Sequence, residues 1–154
     1  MTATQFVHRL VWFVLAVWML GLSGMVGFWM TDRTLPSVTY SIRPVSNEVW
    51  QGRFISVEWV IDRVKYCETT RSDHIIDAKN ERWSMPQQQF VMQPGPLGRE
   101  KIVTLTPIPM WIPTGQATLR VQLAYYCNPM QKWFTGPVTE TSEVRFEIIP
   151  ALEK

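Results

Sequence analysis

Residues 10–30 form an uninterrupted stretch of 21 residues without a charged side chain, LVWFVLAVWMLGLSGMVGFWM. An α-helix rises about 1.5 Å per residue, so a helix of this length spans roughly 31 Å, close to the hydrocarbon thickness of about 30 Å in a bilayer. Trp12 and Trp29 lie near its two ends, where aromatic side chains favour the membrane interface. The stretch therefore predicts a single transmembrane helix at residues 10–30, preceded by a short cytoplasmic tail at residues 1–9.

The same stretch leaves two alternatives open. A cleaved signal peptide has an apolar core of only about 7–15 residues. Here the run continues to Met30, which favours an uncleaved signal anchor over a cleaved one. Ser23, Gly24 and Gly27 are small enough to let two helices approach closely, so we interpret them as a helix-packing surface for a homo-oligomer. The alternative is that small residues are simply common in membrane helices.

Charge and cysteine usage indicate the compartment. Lys and Arg number 15 and Asp and Glu 13, with the charges interspersed after the helix. This distribution lacks the basic stripe of a nucleic-acid surface, so no nucleic-acid partner is expected. Cys67 and Cys127 both follow the helix and fit one disulfide in an oxidising space, with buried free thiols as the alternative. We predict a single-pass protein of the cell inner membrane, with its N-terminus cytoplasmic and its C-terminal domain periplasmic or extracellular.

Alternating apolar and polar residues dominate the chain after the helix. Such patterns predict half-buried β-strands, and they occur in seven runs, at residues 38–43, 55–62, 74–78, 89–92, 101–108, 119–127 and 144–148. Cys67 keeps the parity of the second run and Cys127 closes the sixth, so each cysteine is expected at the end of a strand. We therefore predict an all-β domain, a seven-stranded sandwich over residues 38–150, with a linker at 31–37 and a tail at 151–154.

The order Cys67, Trp83, Cys127, with Tyr125 two residues before the second cysteine, resembles the pattern of immunoglobulin-like domains and their tyrosine corner. The chain is thus similar to an immunoglobulin-like or fibronectin-III-like sandwich. This resemblance implies that the disulfide joins the two sheets. In layout alone, the chain is also similar to uncharacterised single-pass membrane proteins of bacteria and phages, a likeness that implies no activity.

Residues able to perform catalysis are few. His74 is the only histidine after the helix, and Ser72 and Asp73 precede it directly. Consecutive residues of an extended chain face opposite sides, so these three do not form a catalytic triad. With both cysteines expected in a disulfide, a structural zinc site lacks its usual ligands. We predict no catalytic residue, no metal and no cofactor; the alternative is an envelope-acting hydrolase using acids around Asp73, His74 and Asp77.

One loop stands out as a candidate binding site. Residues 107–113, PIPMWIP, are apolar, uncharged and stiffened by three prolines. Exposed apolar segments mark partner or membrane contacts, so Met110, Trp111 and Ile112 are the predicted partner-binding residues. The alternative is that Ile108 and Trp111 close the end of the core.

A second candidate loop follows Cys127 and contains Lys132, Trp133 and Phe134. In an immunoglobulin-like order this loop lies at the end from which the domain hangs, where such side chains suit lipid headgroups. The predicted partners are therefore the lipid bilayer and an unidentified protein. The predicted function is a membrane-anchored, non-catalytic interaction module that tethers or recruits a partner in an envelope-associated assembly. The hydrolase and a self-associating structural membrane subunit are the alternatives.

Overall fold

A computed structural model describes residues 3–151; the first two residues and residues 152–154, most of the predicted C-terminal tail, lie outside the described residues. The chain begins with one long helix, α1 (Ala3–Thr31), followed by a mostly β domain with one disulfide. Residues 4–31 of α1 are long and apolar enough to cross a membrane. The helix starts well before residue 10, because the residues that precede the apolar stretch continue it without a break. His8 is part of it and accepts a hydrogen bond from Trp12 Nε1 at 2.9 Å.

The described residues of the domain form nine strands in two sheets, rather than the predicted seven strands. In chain order these are β1 (Ser37–Pro44), β2 (Glu48–Trp50), β3 (Phe54–Arg63), β4 (Glu68–Ile76), β5 (Arg82–Ser84), β6 (Gln88–Phe90), β7 (Gly98–Pro107), β8 (Gly115–Tyr126) and β9 (Val138–Ile149). One sheet has the order β1-β3-β7, and the other β2-β9-β8-β4-β5, with β6 also paired to β4. All pairs are antiparallel except β2 with β9.

The core lies between the two sheets and follows the alternation of the sequence. On β3 every second residue is buried, beginning with Ile55. The facing sheet contributes Leu119 and Val121 from β8 and Phe146 from β9. The one polar atom of the buried Trp59 ring, Nε1, donates to Thr104 Oγ1 at 2.8 Å, which satisfies its need for a partner.

Strand β1 departs from the alternation that its sequence suggests. A β-bulge between Thr39 and Ser41 adds one residue to this edge strand. As a result Val38 and Tyr40 are exposed, while Ser37 is buried and its hydroxyl lies 2.8 Å from the hydroxyl of Tyr125. Burial raises the pKa of Tyr125, so the phenol stays protonated.

The disulfide between Cys67 and Cys127 is present, but the prediction that it joins the two sheets is wrong. Strand β3 ends at Arg63, and the connection that follows carries the chain to the other sheet before Cys67 is reached. The last pair between β4 and β8 is Glu68 with Tyr126, so the cysteines occupy the next opposed position, with their Cα atoms 4.5 Å apart. The bond therefore closes the end of two neighbouring strands within the six-stranded sheet.

The sandwich has two ends of different character. At the helix-proximal end, β1 begins, β3 ends, and three connections lie together, at residues 64–67, 91–97 and 127–137. Pro36 ties this end to the linker, because its carbonyl accepts from Val64 N at 2.8 Å. The connections at residues 45–47, 51–53 and 108–114 lie at the opposite end.

Candidate functional site

The proline-bounded loop lies at the end of the sandwich that faces away from α1. Ile108 and Ile112 are buried in the core, whereas Met110 and Trp111 are exposed, Trp111 to 71%. The predicted set of Met110, Trp111 and Ile112 is thus divided, because Ile112 faces inward. Of the two side chains expected in the alternative core plug, Ile108 is buried and Trp111 is not.

Hydrogen bonds to the β2–β3 connection hold this loop in place. Gln51 Nε2 donates to the carbonyl of Ile112 at 2.7 Å, and Gly52 N donates to the carbonyl of Ile108 at 3.0 Å. Gly52 has a φ of +75°, and a Cβ added there would lie 2.9 Å from Met110 Cγ. Glycine is therefore required both for the turn and for the close approach of Met110.

Other exposed apolar side chains surround the loop. Val45, Trp50 and Phe54 are exposed and line one shallow groove beside it. Together with Met110 and Trp111 they form what we call the tip surface. Sequence reasoning missed the three groove residues, although the parity of Val49, which is buried, predicts that Trp50 next to it faces outward.

At the helix-proximal end, Lys132, Trp133 and Phe134 lie in a short π-helical turn, Gln131–Thr135. Trp133 is 69% exposed and Phe134 is exposed as well. Lys132 Nζ lies 2.8 Å from Glu68 Oε2. The two aromatic rings of this turn are thus free of the core and available for contact.

This turn and the residues before it also form hydrogen bonds with the end of α1 and the residues that follow it. Asn128 Nδ2 donates to the carbonyl of Trp29 at 3.2 Å. Gln131, whose side chain is 1% exposed, accepts from Cys127 N at 2.6 Å and donates to the carbonyl of Asp32 at 2.8 Å. Arg33 Nη2 donates to the carbonyl of Thr135 at 2.8 Å. The helix end and the domain are therefore joined by hydrogen bonds in addition to the linker.

A charged pair strengthens the same junction. Lys65 Nζ lies 2.9 Å from Asp32 Oδ2. Hydrogen bonding by the hydroxyl of Thr34, followed by that from Lys65, lowers the pKa of Asp32 to about 2. Asp32 therefore carries its charge at neutral pH, directly after the apolar helix.

The small residues of α1 point to open space. Ser23 Oγ donates to the carbonyl of Met19 at 2.8 Å, within its own helix. Among the described residues, no atom outside the adjoining helix backbone and the two chain neighbours lies within 4 Å of a Cβ added to Gly24 or Gly27. Helix packing through these residues stays a prediction.

The acids of the alternative hydrolase do not converge on His74. Asp73 faces the interior, where Arg71 pairs with it at 2.7 Å and Thr106 Oγ1 donates to it at 3.1 Å. His74 faces the other side of the strand, with Nδ1 3.2 Å from Ser84 Oγ. Burial, together with the positive charges of Arg82 and Arg120, lowers the pKa of His74 against the opposing effect of Asp73.

Asp77 has a local role as well. Its carboxylate accepts from the backbone N–H groups of Lys79 and Glu81, at 2.8 and 2.9 Å, and from Trp83 Nε1 at 3.3 Å. Burial alone would raise the pKa of Asp77, but these hydrogen bonds outweigh it and lower that pKa. Across residues 3–151, no group of three or more His, Cys, Asp or Glu side chains could hold a metal ion.

A pocket of about 140 Å³, open to solvent on one side, lies between the sheets in the helix-proximal half. Its walls are mostly apolar and include Trp59, Phe90, Val121 and Leu123. Arg63 also lines it and is buried, with Nη2 2.7 Å from Glu100 Oε1. No sequence signal pointed to this space.

Comparisons with known proteins add no family. No protein-family model matches the sequence, and a search of curated proteins finds no match either. Among solved structures, the chain is similar to Pseudomonas fluorescens alkylpurine DNA glycosylase AlkC bound to DNA containing an abasic site analog, with a TM-score of 0.43 and 7% identity. The match covers 75% of this chain but only 31% of that chain, and a likeness at this level carries no argument about function.

Proposed function

We propose that this chain is a membrane-anchored, non-catalytic interaction module that presents the tip surface to a protein partner of an envelope-associated assembly. In this proposal α1 spans the inner membrane, with the N-terminus in the cytoplasm and the domain on the periplasmic or extracellular side. The length and composition of α1 support the span. The bond between Cys67 and Cys127 supports the orientation, because disulfides persist in oxidising compartments.

The proposal includes an immunoglobulin-like architecture for the domain. The orders β1-β3-β7 and β9-β8-β4 correspond to strands A-B-E and G-F-C of that fold. The buried Tyr125, two residues before Cys127, also supports this assignment. Two features depart from the usual pattern: the three-residue strands at the sheet edges, and the position of the disulfide within one sheet.

The tip surface is the observation that carries the proposal. It gathers two exposed tryptophans, a phenylalanine, a methionine and a valine at one end of the domain, on two connections and on the adjoining ends of β2 and β3. Exposed apolar clusters on soluble domains usually mark partner sites, and buried tryptophans dominate the energy of many interfaces. The scaffold is rigid, because Ile108 and Ile112 fix the loop in the core while Met110 and Trp111 face outward.

Its position also fits a role in recruitment. Strand β3 has ten residues and therefore extends roughly 33 Å, at about 3.3 Å per residue. The tip surface thus lies about 30 Å along β3 from the helix-proximal end of the domain. A partner that docks there would be held at a set distance from the membrane.

Photo-crosslinking in intact cells tests this proposal. A photo-reactive residue in place of Met110 is expected to yield a covalent adduct with one envelope protein. Adding Trp111→Ser is expected to abolish the adduct, because it removes the largest exposed side chain of the tip surface. Val103→Ser is the control, since Val103 is also an exposed apolar side chain but lies in the middle of β7, paired with Glu58 and outside the tip surface. No adduct, or an adduct that survives Trp111→Ser, would contradict the proposal.

A further inference from the structure

The connection between β6 and β7 has an unusual surface. Residues 91–97, VMQPGPL, carry no charged side chain. Val91 is 90% exposed, and Met92 and Leu97 are exposed as well. The segment is nevertheless fixed in place: Arg63 Nη1 donates to the carbonyl of Pro96 at 2.7 Å, and Tyr66 Oη donates to the carbonyl of Gly95 at 3.1 Å. A fixed apolar loop of this kind is costly to leave in water.

Strand pairing shows which way this loop faces. Phe90, at its start, pairs with Thr69 beside the disulfide, and Gly98, at its end, pairs with Arg63. Both positions belong to the helix-proximal end. The loop therefore lies at the same end of the sandwich as the exposed rings of Trp133 and Phe134.

The contact between the domain and α1 sets the depth of this end. Asn128 bonds to the carbonyl of Trp29, one residue before the uncharged stretch ends at Met30. If α1 spans the bilayer, this contact lies at the boundary of the hydrocarbon core. The headgroup region extends only about 5–8 Å further on each side. Side chains that project from this end toward the helix therefore meet lipid.

We propose that the helix-proximal end of the domain is seated in the lipid interface through the loop at residues 91–97 and the turn that holds Trp133 and Phe134. This inference rests on the proposed membrane span of α1. Aromatic and apolar side chains are favoured at that depth. The occupant is the lipid surface itself, because these exposed apolar side chains lie at the end of the domain from which α1 leads into the bilayer.

The charges at this end indicate how the contact works. Lys132 pairs with Glu68, and Lys65 pairs with Asp32, whereas Arg33 donates to the backbone carbonyls of Thr135 and Gly136 and keeps its charge. A single cation beside α1 is far less than the cluster of a polybasic segment. Seating therefore depends on apolar insertion and does not require anionic lipid, unlike binding by a polybasic segment. Three contacts with the bilayer, one helix and two loops, fix the tilt of the domain and direct the tip surface away from the membrane.

Nitroxide labels on single introduced cysteines test the seating in the full chain. The native cysteines are joined in a disulfide, so a third cysteine can be labelled alone. Met92→Cys reports on the loop, Met110→Cys on the tip surface, and Met19→Cys on the middle of α1. Each protein is placed in nanodiscs of zwitterionic lipid with one chain per disc, and collision rates with oxygen and with a water-soluble nickel chelate are measured.

We expect the label at Met92 to collide with the nickel chelate severalfold less often than the label at Met110, and the result to be the same when anionic lipid is added. Equal collision rates at these two sites, with the label at Met19 shielded, would refute the seating but leave the membrane span intact. A label at Met19 that meets the nickel chelate freely would refute the membrane span itself. Shielding at Met92 that appears only when several chains share a disc would assign the surface to a second copy and also refute lipid seating.

Discussion

Replacing Gln131 with leucine should weaken the junction between α1 and the domain. The side chain is buried, and it satisfies the N–H of Cys127 and the carbonyl of Asp32 at 2.6 and 2.8 Å. Leucine fills a similar volume but leaves both backbone groups without a partner. An unsatisfied buried polar group costs about 1–3 kcal/mol. Two such groups together would cost twice that amount. Because both of them keep some exposure to water, we expect a value near the lower end, so that Gln131→Leu lowers the free energy of unfolding by about 2–3 kcal/mol.

Guanidinium unfolding of the full chain in detergent micelles, followed by tryptophan fluorescence, measures this loss. A lower midpoint with an unchanged slope would indicate a change in stability alone. Gln116→Leu is the matched control, because Gln116 donates to Glu147 at 3.3 Å on an exposed face, where a substitution changes stability by less than about 0.5 kcal/mol. If Gln131→Leu and Gln116→Leu unfold at the same midpoint, Gln131 does not hold the junction and the reasoning fails.

Three further outcomes follow from the structure. Replacing Cys67 and Cys127 with serine removes a bond between residues 60 positions apart, so the free energy of unfolding should fall by about 4 kcal/mol. Equal denaturation midpoints of the native chain with and without reductant would contradict this. The pKa of His74 is lower in the folded protein than in the unfolded chain, so the unfolded chain binds the proton first as the pH is lowered. The free energy of unfolding should therefore fall as the pH drops from about 7 to about 5. His74→Gln should flatten that profile, and parallel profiles would exclude His74 as the cause. Val121→Ile adds a methylene to the pocket between the sheets, so the thermal midpoint should rise through about 0.5–1 kcal/mol of extra stability. A lower midpoint would show that the pocket cannot accept the methylene.

The regular parts of the fold were accessible from the sequence, and the coarse prediction of one apolar helix before a mostly β, disulfide-bonded domain is confirmed. The alternation from Ile55 to Ile61 and from Leu119 to Tyr125 predicted which residues of β3 and β8 face inward, and the buried positions follow it. These strands are long and pair on both sides, so one register places their alternating apolar side chains on the core face.

Irregular features were not accessible in the same way. The bulge in β1 reverses the faces of Val38 and Tyr40, and nothing in their spacing announces an extra residue. The side chain of Tyr40 instead lies beneath the guanidinium of Arg99, 4.7 Å from its ring centre. Cys67 has the same parity as the inward-facing residues of β3, but a turn separates it from that strand. The parity therefore did not indicate that Cys67 lies next to β4, in the other sheet. Strands of three residues, β2 and β5, are too short to show a period.

The candidate site was predictable only in outline. A proline-bounded apolar loop predicts that some side chains are exposed, but the choice between Trp111 and Ile112 depends on which one the core can accept. Gln131 is a polar residue in a segment with exposed aromatic rings, so its sequence context does not predict that it is buried. Its burial depends on the contact with Asp32, which is distant in sequence.

The way in which α1 enters the domain determines how the molecule would bear tension. Strand β1 receives the chain from the helix and runs antiparallel to β3, with seven paired positions from Ser37 to Pro44. If a partner pulls the tip surface outward while the membrane retains the helix, β1 and β3 are drawn in opposite directions along their length. The hydrogen bonds between them lie across that direction, so they are loaded together and cannot open one after another. A bound partner would then have to apply a large force before β1 separated from β3.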